Sequence, residues 1–201
     1  MSQWAITARI PAMPRWEQGA EDRLREAALA LFLEHGYENV TVAQITERAG
    51  LTRRTFSRYF ADKRDVLFAG SDQLPAALAD AVLKADAALT PFEALLSALE
   101  RVGDIVAARV APNAAQRQAI VESSIELKER GRTKFAAVSD ALDAALQQRG
   151  AAPPTAGLLA NVGVAIFRTA FGRWVDEPEA AAYSARVREA ADELAHALDR
   201  R

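Results

Sequence analysis

No cysteine occurs among the 201 residues of this sequence, and histidine occurs only twice. Without thiols the chain can form neither a disulfide framework nor a thiolate metal site. It also lacks any run of 18 apolar residues, and its N-terminus lacks the apolar core of a signal peptide. We therefore expect a cytoplasmic protein with no membrane partner, no metal and no cofactor.

Proline is scarce too, with 8 residues, and we find no convincing alternating or β-branched run that would make a sheet. Alanine, the strongest helix former, is abundant. The composition, 50% hydrophobic and 26% charged, is that of a globular protein with one or two domains. These proportions predict an all-α fold.

Charge is unevenly distributed along the chain, although the net charge is only −2. Residues 17–47 carry seven acidic residues and two arginines, a balance of −5, whereas residues 50–64 carry five basic residues and one aspartate, a balance of +4. A compact positive stripe on an acidic protein is typical of phosphate binding, but a solvated helix face would look the same. The pattern around the stripe decides between these interpretations.

The segment TVAQITERAGLTRRTFSRYF, from Thr41 to Phe60, has the pattern of a helix-turn-helix. A first helix is predicted over about residues 17–35. Thr41 then caps a short second helix, Gly50 supplies a left-handed turn, and Thr52 caps a third helix. In a helix-turn-helix the last of these helices enters the major groove of DNA, so we expect the chain to bind duplex DNA.

The third helix and its surroundings supply the candidate DNA contacts. The candidates are Thr41, Thr52, Arg53, Arg54, Ser57, Arg58, Tyr59 and Lys63. Arginine can bind guanine O6 and N7 through two hydrogen bonds, so the three arginines are candidates for base or nearby phosphate contact. Hydroxyls and the lysine ammonium suit phosphates, which carry no sequence information. The two threonines could act only as caps, and the tyrosine could equally belong to the core.

Residues 18–78 resemble the DNA-binding domain of the tetracycline-repressor (TetR) family. The matching segments read LFLEHGYENVTV, QITERAGLTRRTFSRYF and DKRDVL. The third helix departs from the usual family pattern, with Arg54 for a glycine, Phe56 for a leucine and Ser57 for a tyrosine. The family's aromatic residue at the position of Ser57 often helps to contact DNA, and Arg54 could compensate for its loss. The resemblance implies a dimeric transcriptional regulator, usually a repressor, and no enzyme.

The remainder of the chain shows helical patterns without a motif of its own. Residues 62–84 are predicted as a connecting helix kinked at Pro75. Thr90-Pro91-Phe92-Glu93 is a capping box that begins a helix ending near residue 110. Gly131 is expected to interrupt the helix that contains ESSIELKE, with a further helix over 133–148.

These patterns divide the chain into three parts. Residues 1–16 form an N-terminal arm, which is expected to be flexible although its two arginines could reach a minor groove. Residues 17–63 form the helix-turn-helix domain, with a family-type extent of about 18–78. Residues 64–201 form a helical domain, to which the resemblance assigns effector binding and dimerisation.

The effector pocket is only weakly indicated by the sequence. Polar or aromatic side chains inside apolar stretches could line it, because a buried charge needs a partner that a ligand can supply. The candidates are Glu122, Glu126, Asn161, Phe167, Arg168 and Phe171. The polar ones could instead be surface groups or internal pairs, and the aromatic ones could be core residues. A pocket of this kind would favour a small, mainly apolar or lipid-like molecule.

The last two predicted helices, about 155–175 and 179–198, are expected to form the dimer surface. The first is apolar nearly all round, so it needs core on one face and a partner or ligand on another. The candidate interface residues are Trp174, Tyr183, Val187, Leu194 and Leu198. A two-fold dimer would place two recognition helices about 34–36 Å apart on a roughly palindromic operator. The alternative is that both helices complete a monomer core.

Two other classes of function stay open at this point. Glu193 and His196 match half of a di-metal carboxylate site, but such an enzyme needs a second pair. The sequence has no glycine-rich phosphate loop, nucleophile elbow or His-Glu-x-x-His segment. An adaptor or architectural DNA-binding protein would share the first domain and lack a ligand.

Overall fold

The computed structural model describes residues 19–68, 71–179 and 181–199, and within these ranges the chain is helical with no strand. The predicted all-α fold is therefore confirmed. Contacts between residues group the chain into two compact units, Met1–Val66 and Leu67–Arg201. The predicted N-terminal arm, residues 1–16, lies outside the described residues.

In the described part of the first unit, residues 19–66, three helices form the core. They are α1 (Ala20–His35), α2 (Val42–Arg48) and α3 (Arg53–Tyr59), with a 3-10 turn at Tyr37–Asn39 between the first two. Helix α4 (Asp65–Phe68) follows. The larger buried residues come from these helices, the turn and the segments beside them: Leu24, Leu31, Phe32, Tyr37, Val40, Ile45, Phe56, Phe60 and Val66. This small core fixes α2 and α3 against α1.

The described residues of the second unit include six longer helices around a hydrophobic core. They are α5 (Leu74–Leu83), α6 (Pro91–Val110), α7 (Ala114–Ser123), α8 (Ile125–Gln148), α9 (Pro153–Asp176) and α10 (Tyr183–Leu198). Helix α8 packs against α5 and α9, and α10 packs against α6 and α9. The predicted capping box is confirmed, because the Glu93 amide donates to Thr90 Oγ1 at 3.3 Å and the Thr90 amide donates to Glu93 Oε2 at 2.8 Å.

Two predicted helix breaks lie elsewhere in the structure. Gly131 lies inside the continuous helix α8, and the chain breaks instead at the buried, extended Ser124. A helical glycine costs only about 1 kcal/mol relative to alanine, which packing can outweigh. Pro75 lies in the first turn of α5, where its missing amide hydrogen is tolerated, and the predicted helix over 62–84 has already ended at Phe68.

Helix α9 is the one helix in the described ranges that is long and apolar enough to cross a membrane by length and composition, with a mean hydropathy of 1.3. Core helices of soluble proteins meet the same criteria. Helix α9 buries Ile166, Phe167 and Trp174 in the core of the second unit. Its opposite face leaves Leu158 65% exposed.

The start of α10 is anchored to α6 and α9 by the buried Tyr183. Its hydroxyl donates to the carbonyl of Phe167 at 2.8 Å, and its ring lies directly over Gly103, where no Cβ intervenes. Burial raises the pKa of the Tyr183 phenol, and the nearby Asp104 carboxylate raises it further. The phenol therefore stays protonated and keeps its donor.

Asp104 also caps α10 from a neighbouring helix. Helix α10 has no cap of its own at Ala182, and the Ser184 amide instead donates to Asp104 Oδ1 at 2.9 Å. We expect Asp104→Ala to lower the free energy of unfolding by about 1 kcal/mol, the usual value of a lost N-cap. In a thermal melt this is a fall of roughly 2–4 °C. Asp140→Ala, at an exposed position on α8, is the control; equal melting temperatures for the two variants would contradict the capping role.

Candidate nucleic-acid interface

Helix α3 is fixed by a cap at its start and by apolar anchors on its inner face. Thr52 Oγ1 accepts a hydrogen bond from the Thr55 amide at 3.1 Å, so the predicted cap is confirmed. Phe56 and Phe60 are 1% and 3% exposed, and their rings pack at a centroid distance of 5.4 Å. The other face of α3 is therefore held outward.

The turn before α3 has the predicted geometry. Gly50 has φ +62°, which is the left-handed conformation that glycine adopts without strain. The Leu51 amide donates to the Thr46 carbonyl at 2.9 Å and closes the turn. From α1, the Arg23 guanidinium donates to the Ala49 carbonyl at the end of α2. The turn is thus fixed both by its own backbone and by α1.

Helix α2 begins at a complete capping box. The Gln44 amide donates to Thr41 Oγ1 at 3.3 Å, and the Thr41 amide donates to Gln44 Oε1 at 2.8 Å. At the other end of α2, Arg48 makes two hydrogen bonds with Glu34, one of them 2.7 Å long. Arg48 is therefore neutralised inside the unit and adds little to the positive stripe.

The exposed side chains of α3 form a cationic face. Arg53, Arg54 and Ser57 are all exposed, and neither arginine makes a hydrogen bond or ion pair with any other described residue. Arg58 lies over the Tyr59 ring at 4.9 Å from its centroid, and its Nη2 donates to the Tyr59 hydroxyl at 2.8 Å. Because that hydroxyl oxygen accepts from Arg58, its own proton remains available to an outside acceptor.

Lys63 is placed differently from the other candidate contacts. Its ammonium donates to the carbonyls of Tyr37, Glu38 and Val40 at 2.8, 3.3 and 2.9 Å, and it lies 4.3 Å from the centroid of the Tyr37 ring. It therefore points into the first unit, towards the turn before α2. From the sequence we expected Lys63 to contact a phosphate, but in the structure its ammonium is hydrogen-bonded to these three backbone carbonyls.

Asp62 organises the chain just after α3. Its carboxylate accepts from the side chain and amide of Arg64 and from the amide of Asp65. These hydrogen bonds lower the pKa of the Asp62 carboxyl, and the bond from the Arg64 side chain has the largest effect. A carboxyl with a lowered native pKa stabilises the fold above its ordinary pKa of about 3.9, and this contribution is lost as pH falls through the native value.

Acid titration should therefore reveal Asp62. In thermal melts between pH 6 and pH 2, as a chosen range, we expect Asp62→Asn to lose less melting temperature on acidification than the unmodified protein, since the variant has no carboxyl to protonate. The difference should develop only below about pH 5, where carboxyls begin to protonate. Parallel curves for the two proteins would show that Asp62 contributes nothing to acid sensitivity.

The predicted pocket residues do not come together in one enclosed site. Glu122, Glu126, Asn161 and Arg168 are exposed, Phe171 is half-buried, and Phe167 is buried in the core of the second unit. Several have partners within the chain. The nearest oxygen of Glu122 lies 3.5 Å from the Lys128 ammonium, and Asn161 Nδ2 donates to the Gly157 carbonyl at 2.8 Å. The polar candidates therefore need no ligand to satisfy them.

The predicted dimer stripe faces mainly inward. Trp174, Tyr183 and Val187 are 5%, 1% and 0% exposed and belong to the core of the second unit. A second copy could not reach them without unfolding that core, so these three assignments are wrong. Leu194 is half-buried, and Leu198 is 70% exposed.

The residues of the considered metal site have other partners. Glu193 pairs with Arg173 at 2.5 Å, and His196 Nδ1 lies 2.7 Å from the Asp192 carbonyl. Within the described ranges, no group of three or more histidine, aspartate or glutamate side chains could hold a metal ion.

Two residues that organise this interface have contacts that the sequence does not predict: Arg23 was not a candidate, and Lys63 was predicted only as a phosphate contact. Each reaches a backbone carbonyl 23 to 26 positions away along the chain. No local pattern marks such a contact, because it depends on how α1 and the chain after α3 approach the ends of α2. The caps and the turn were predictable because they depend on neighbours three or four residues away.

Comparison with known proteins gives a family match in the N-terminal part of the chain and a curated relative that is similar over part of its length. Residues 24–69 match the family of bacterial regulatory proteins called the tetR family. Over 81 residues the chain is 37% identical to the HTH-type transcriptional regulator TcmR of Streptomyces glaucescens, a match that covers 40% of this chain and 36% of TcmR. The match thus spans about a third of the length of this curated relative.

Two solved structures share the fold over most of the chain. SmeT of Stenotrophomonas maltophilia, in complex with triclosan, is 20% identical over 90% of this chain and 91% of its own, with a TM-score of 0.59. FadR of Bacillus subtilis, in complex with stearoyl-CoA, is 18% identical over 85% of this chain and 95% of its own, with a TM-score of 0.55. At these identities the likeness establishes the fold alone. The helix-turn-helix of this chain, which lies within residues 24–69, is thus similar to that of the tetR family of bacterial regulatory proteins.

Proposed function

We propose that this protein is a cytoplasmic, ligand-responsive transcriptional repressor that binds a palindromic operator as a homodimer and is released by a small, mainly apolar effector. In this proposal residues 17–63 bind DNA, and residues 64–201 bind the effector and dimerise. One observation carries the DNA-binding part. Arg53 and Arg54 stand exposed, without described partners, at the start of a rigidly held α3, where a recognition helix meets base edges.

The proposed DNA contacts fall into two chemical groups. Arg53, Arg54 and Arg58 are assigned to base edges or the phosphates beside them, because a guanidinium binds guanine through two parallel hydrogen bonds. The exposed hydroxyls of Thr41 and Thr52, at the starts of α2 and α3, are assigned to phosphates. Thr41 Oγ1 also donates to Gln44 Oε1 at 2.8 Å, and Thr52 Oγ1 lies 2.9 Å from Thr55 Oγ1, so a phosphate contact by either hydroxyl would replace or share one of these bonds.

Two further α3 side chains complete the proposed interface. The Tyr59 hydroxyl is assigned to a phosphate, since Arg58 already supplies its acceptor bond. Ser57 is assigned to the groove side, where its small side chain would let α3 approach closely and its hydroxyl could bond to a base edge. It cannot supply the aromatic contact expected at this position from the family resemblance.

The proposed dimer would use the outer faces of α9 and α10. Leu158 and Leu198 are 65% and 70% exposed, and large apolar side chains at a surface commonly mark a protein interface. Two-fold symmetry would present two copies of α3 to successive major grooves, about 34–36 Å apart. This is why we propose a palindromic operator.

The proposed release step depends on how the second unit begins. Within that unit, Arg117 of α7 donates to the Leu67 carbonyl, and Lys134 of α8 donates to Ser71 Oγ at 2.5 Å and Asp72 Oδ1 at 2.8 Å. An effector that moves α7 or α8 would act on the residues that follow the helix-turn-helix in the chain. It can lower operator affinity only by binding one arrangement more tightly than the other.

Selection of bound duplexes from a random pool tests this function. The proposal predicts enrichment of an inverted repeat whose half-sites lie one or more helical turns apart, about 10 base pairs per turn. Enrichment of a single half-site would contradict the dimer. If the protein binds the selected duplexes no more tightly than the random starting duplexes, sequence-specific DNA binding is contradicted altogether.

A ligand-independent adaptor is the second candidate, favoured by the exposure of four of the predicted pocket residues. A ligand that binds only the folded state stabilises it, by about 2.7 kcal/mol at 100 times its dissociation constant. Triclosan and stearoyl-CoA, bound by the two proteins of similar fold, are reasonable first probes for thermal melts. If apolar ligands raise the melting temperature but leave operator affinity constant, the release step is wrong. If no tested class stabilises the protein, the adaptor gains support.

A further inference from the structure

We propose that Lys63 is a positioning residue that closes the open end of the helix-turn-helix, and that it is not a phosphate ligand. The helix-turn-helix spans Thr41 to Phe60, and Lys63 follows it by three residues. The DNA-binding readouts below depend on the proposed function. The stability readout depends on the structure alone.

The contacts of Lys63 join the two ends of the motif. Its ammonium donates to the carbonyls of Tyr37 and Val40, at 2.8 and 2.9 Å, and Val40 directly precedes the Thr41 cap of α2. A third bond of 3.3 Å reaches the Glu38 carbonyl. The chain after the recognition helix is thereby tied to the chain before the support helix.

We call these Lys63 hydrogen bonds the clasp. The carbonyls that accept them and the backbone around Lys63 are both held in place by other contacts. Tyr37 and Val40 are 3% and 1% exposed, so the carbonyls belong to a packed turn. On the other side, Asp62 accepts from the Arg64 amide at 2.8 Å, and Asp65 Oδ2 accepts from the Ala61 amide at 3.2 Å. The backbone on either side of Lys63 is therefore held by the start of α4.

The helix-turn-helix is consequently held by contacts at two places. At the inner end, Gly50 forms the turn and the Arg23 guanidinium donates to the Ala49 carbonyl. At the outer end, Lys63 performs the corresponding task. If only the contacts at the turn were present, α2 and α3 could pivot about it, and the arginines of α3 would lose their alignment with the base edges.

A phosphate role conflicts with this arrangement. A lysine ammonium has three donors, and here three carbonyls stand within hydrogen-bond distance while the Tyr37 ring lies 4.3 Å from the nitrogen. Contacting a phosphate would require breaking at least one of these bonds and leaving a carbonyl of the packed turn without it. The exposed arginines on the cationic face of α3 can contact a phosphate without breaking a hydrogen bond to the packed turn.

The test compares Lys63→Met with Lys84→Met in the full chain. Both changes remove one ammonium, but the side chain of Lys84 is 67% exposed in the second unit. Thermal melts followed by circular dichroism give stability. Fluorescence anisotropy, at a temperature where each variant is folded, gives the affinities for a selected operator and a scrambled duplex over a series of salt concentrations.

A positioning role predicts three results together for Lys63→Met. The melting temperature falls relative to Lys84→Met. Operator affinity falls roughly tenfold, the loss expected when one bidentate base contact is misaligned. Affinity for the scrambled duplex and the dependence of log K on log salt stay unchanged, because no phosphate contact has been removed.

Other outcomes overturn the proposal. A phosphate ligand would weaken both duplexes alike, lower the salt slope by about 0.9 and leave the melting temperature unchanged. A merely structural lysine would lower the melting temperature without changing the operator affinity of the folded protein. If the unmodified protein does not select any duplex, the proposed function fails separately, and equal melting temperatures for Lys63→Met and Lys84→Met would still overturn the clasp.

Discussion

Replacing both Arg53 and Arg54 by alanine is expected to weaken operator binding by about 2–6 kcal/mol, at 1–3 kcal/mol for each bidentate base contact. At about 1.4 kcal/mol per factor of ten, the loss is at least roughly 30-fold. The reason is their placement, because both are exposed at the start of α3 without a described partner inside the protein. Fluorescence anisotropy with the selected operator and a scrambled duplex measures the loss.

A matched control separates recognition from general charge. Arg101 and Arg109 are exposed on α6 in the second unit, so Arg101→Ala with Arg109→Ala removes the same charge away from α3. We expect this control to keep operator affinity within a small factor. Equal losses in the two double variants would mean that net charge, and not the face of α3, determines binding.

The single variants distinguish the two arginines. Arg54 stands where the resembled family usually has glycine, so Arg54→Gly tests whether this chain has acquired an additional contact. If it has, the variant loses discrimination at one operator position while the remaining positions keep their preferences. An unchanged position-by-position preference would assign Arg54 to phosphate or solvent.

Gly103→Ala is expected to lower the free energy of unfolding by about 3 kcal/mol, the upper part of the range for overpacking a core. A Cβ at this position would lie 2.0 Å from Tyr183 Cε1 and 2.3 Å from Cδ1. The ring cannot easily move away, because it is 1% exposed and its hydroxyl is bonded to the Phe167 carbonyl. Thermal melts should show a fall of roughly 6–12 °C.

Glycines elsewhere in the second unit provide the controls. At Gly131 the nearest atom to an added Cβ is 3.9 Å away, so Gly131→Ala should be neutral or stabilise the mid-helix position by up to about 1 kcal/mol. Gly163→Ala should lie between, since its Cβ would meet the flexible end of Leu95 at 3.0 Å. If Gly103→Ala and Gly131→Ala melt alike, the tight packing of Tyr183 on α6 is wrong.

A second substitution shows whether the ring causes the loss. Tyr183→Leu removes the ring and its hydrogen bond, and by itself it should destabilise the second unit. Combined with Gly103→Ala it should cost less than the sum of the two, because the clash is gone. Additive losses would place the strain of Gly103→Ala elsewhere.

The DNA-binding unit was largely predictable because its signals are local. Thr41, Thr52 and Gly50 each act on residues within a few positions, so a cap or a left-handed turn can be inferred from residue type and spacing. The capping box at Thr90 was predictable for the same reason. Charge added a further clue, since three of the five basic residues of the positive stripe, Arg53, Arg54 and Arg58, are exposed on α3.

The contacts between distant segments could not be predicted in this way. Lys63 has the sequence context of an exposed cation, and only the fold brings three carbonyls to its ammonium. Asp104 likewise caps a helix that begins 79 positions later, at Tyr183. Both contacts join residues that are much farther apart in the sequence than the three or four positions of a helical turn.

Helical periodicity also fails to say what covers an apolar face. Trp174, Tyr183 and Val187 lie on apolar stripes, and the same stripe can face the chain's own core or a second copy. The structure assigns these three to the core. Periodicity does not locate a pocket either, since a polar residue within an apolar stretch can point outward, as Asn161 and Arg168 do.

Sequence-selective binding of duplex DNA can be tested in one titration. Labelled duplexes from the DNA upstream of the protein's own gene are compared with scrambled duplexes by fluorescence anisotropy at two salt concentrations. We predict tight binding to an upstream duplex, weaker binding to its scrambled version, and a loss of affinity with salt. Equal, weak binding to upstream, scrambled and pool-selected duplexes would contradict it.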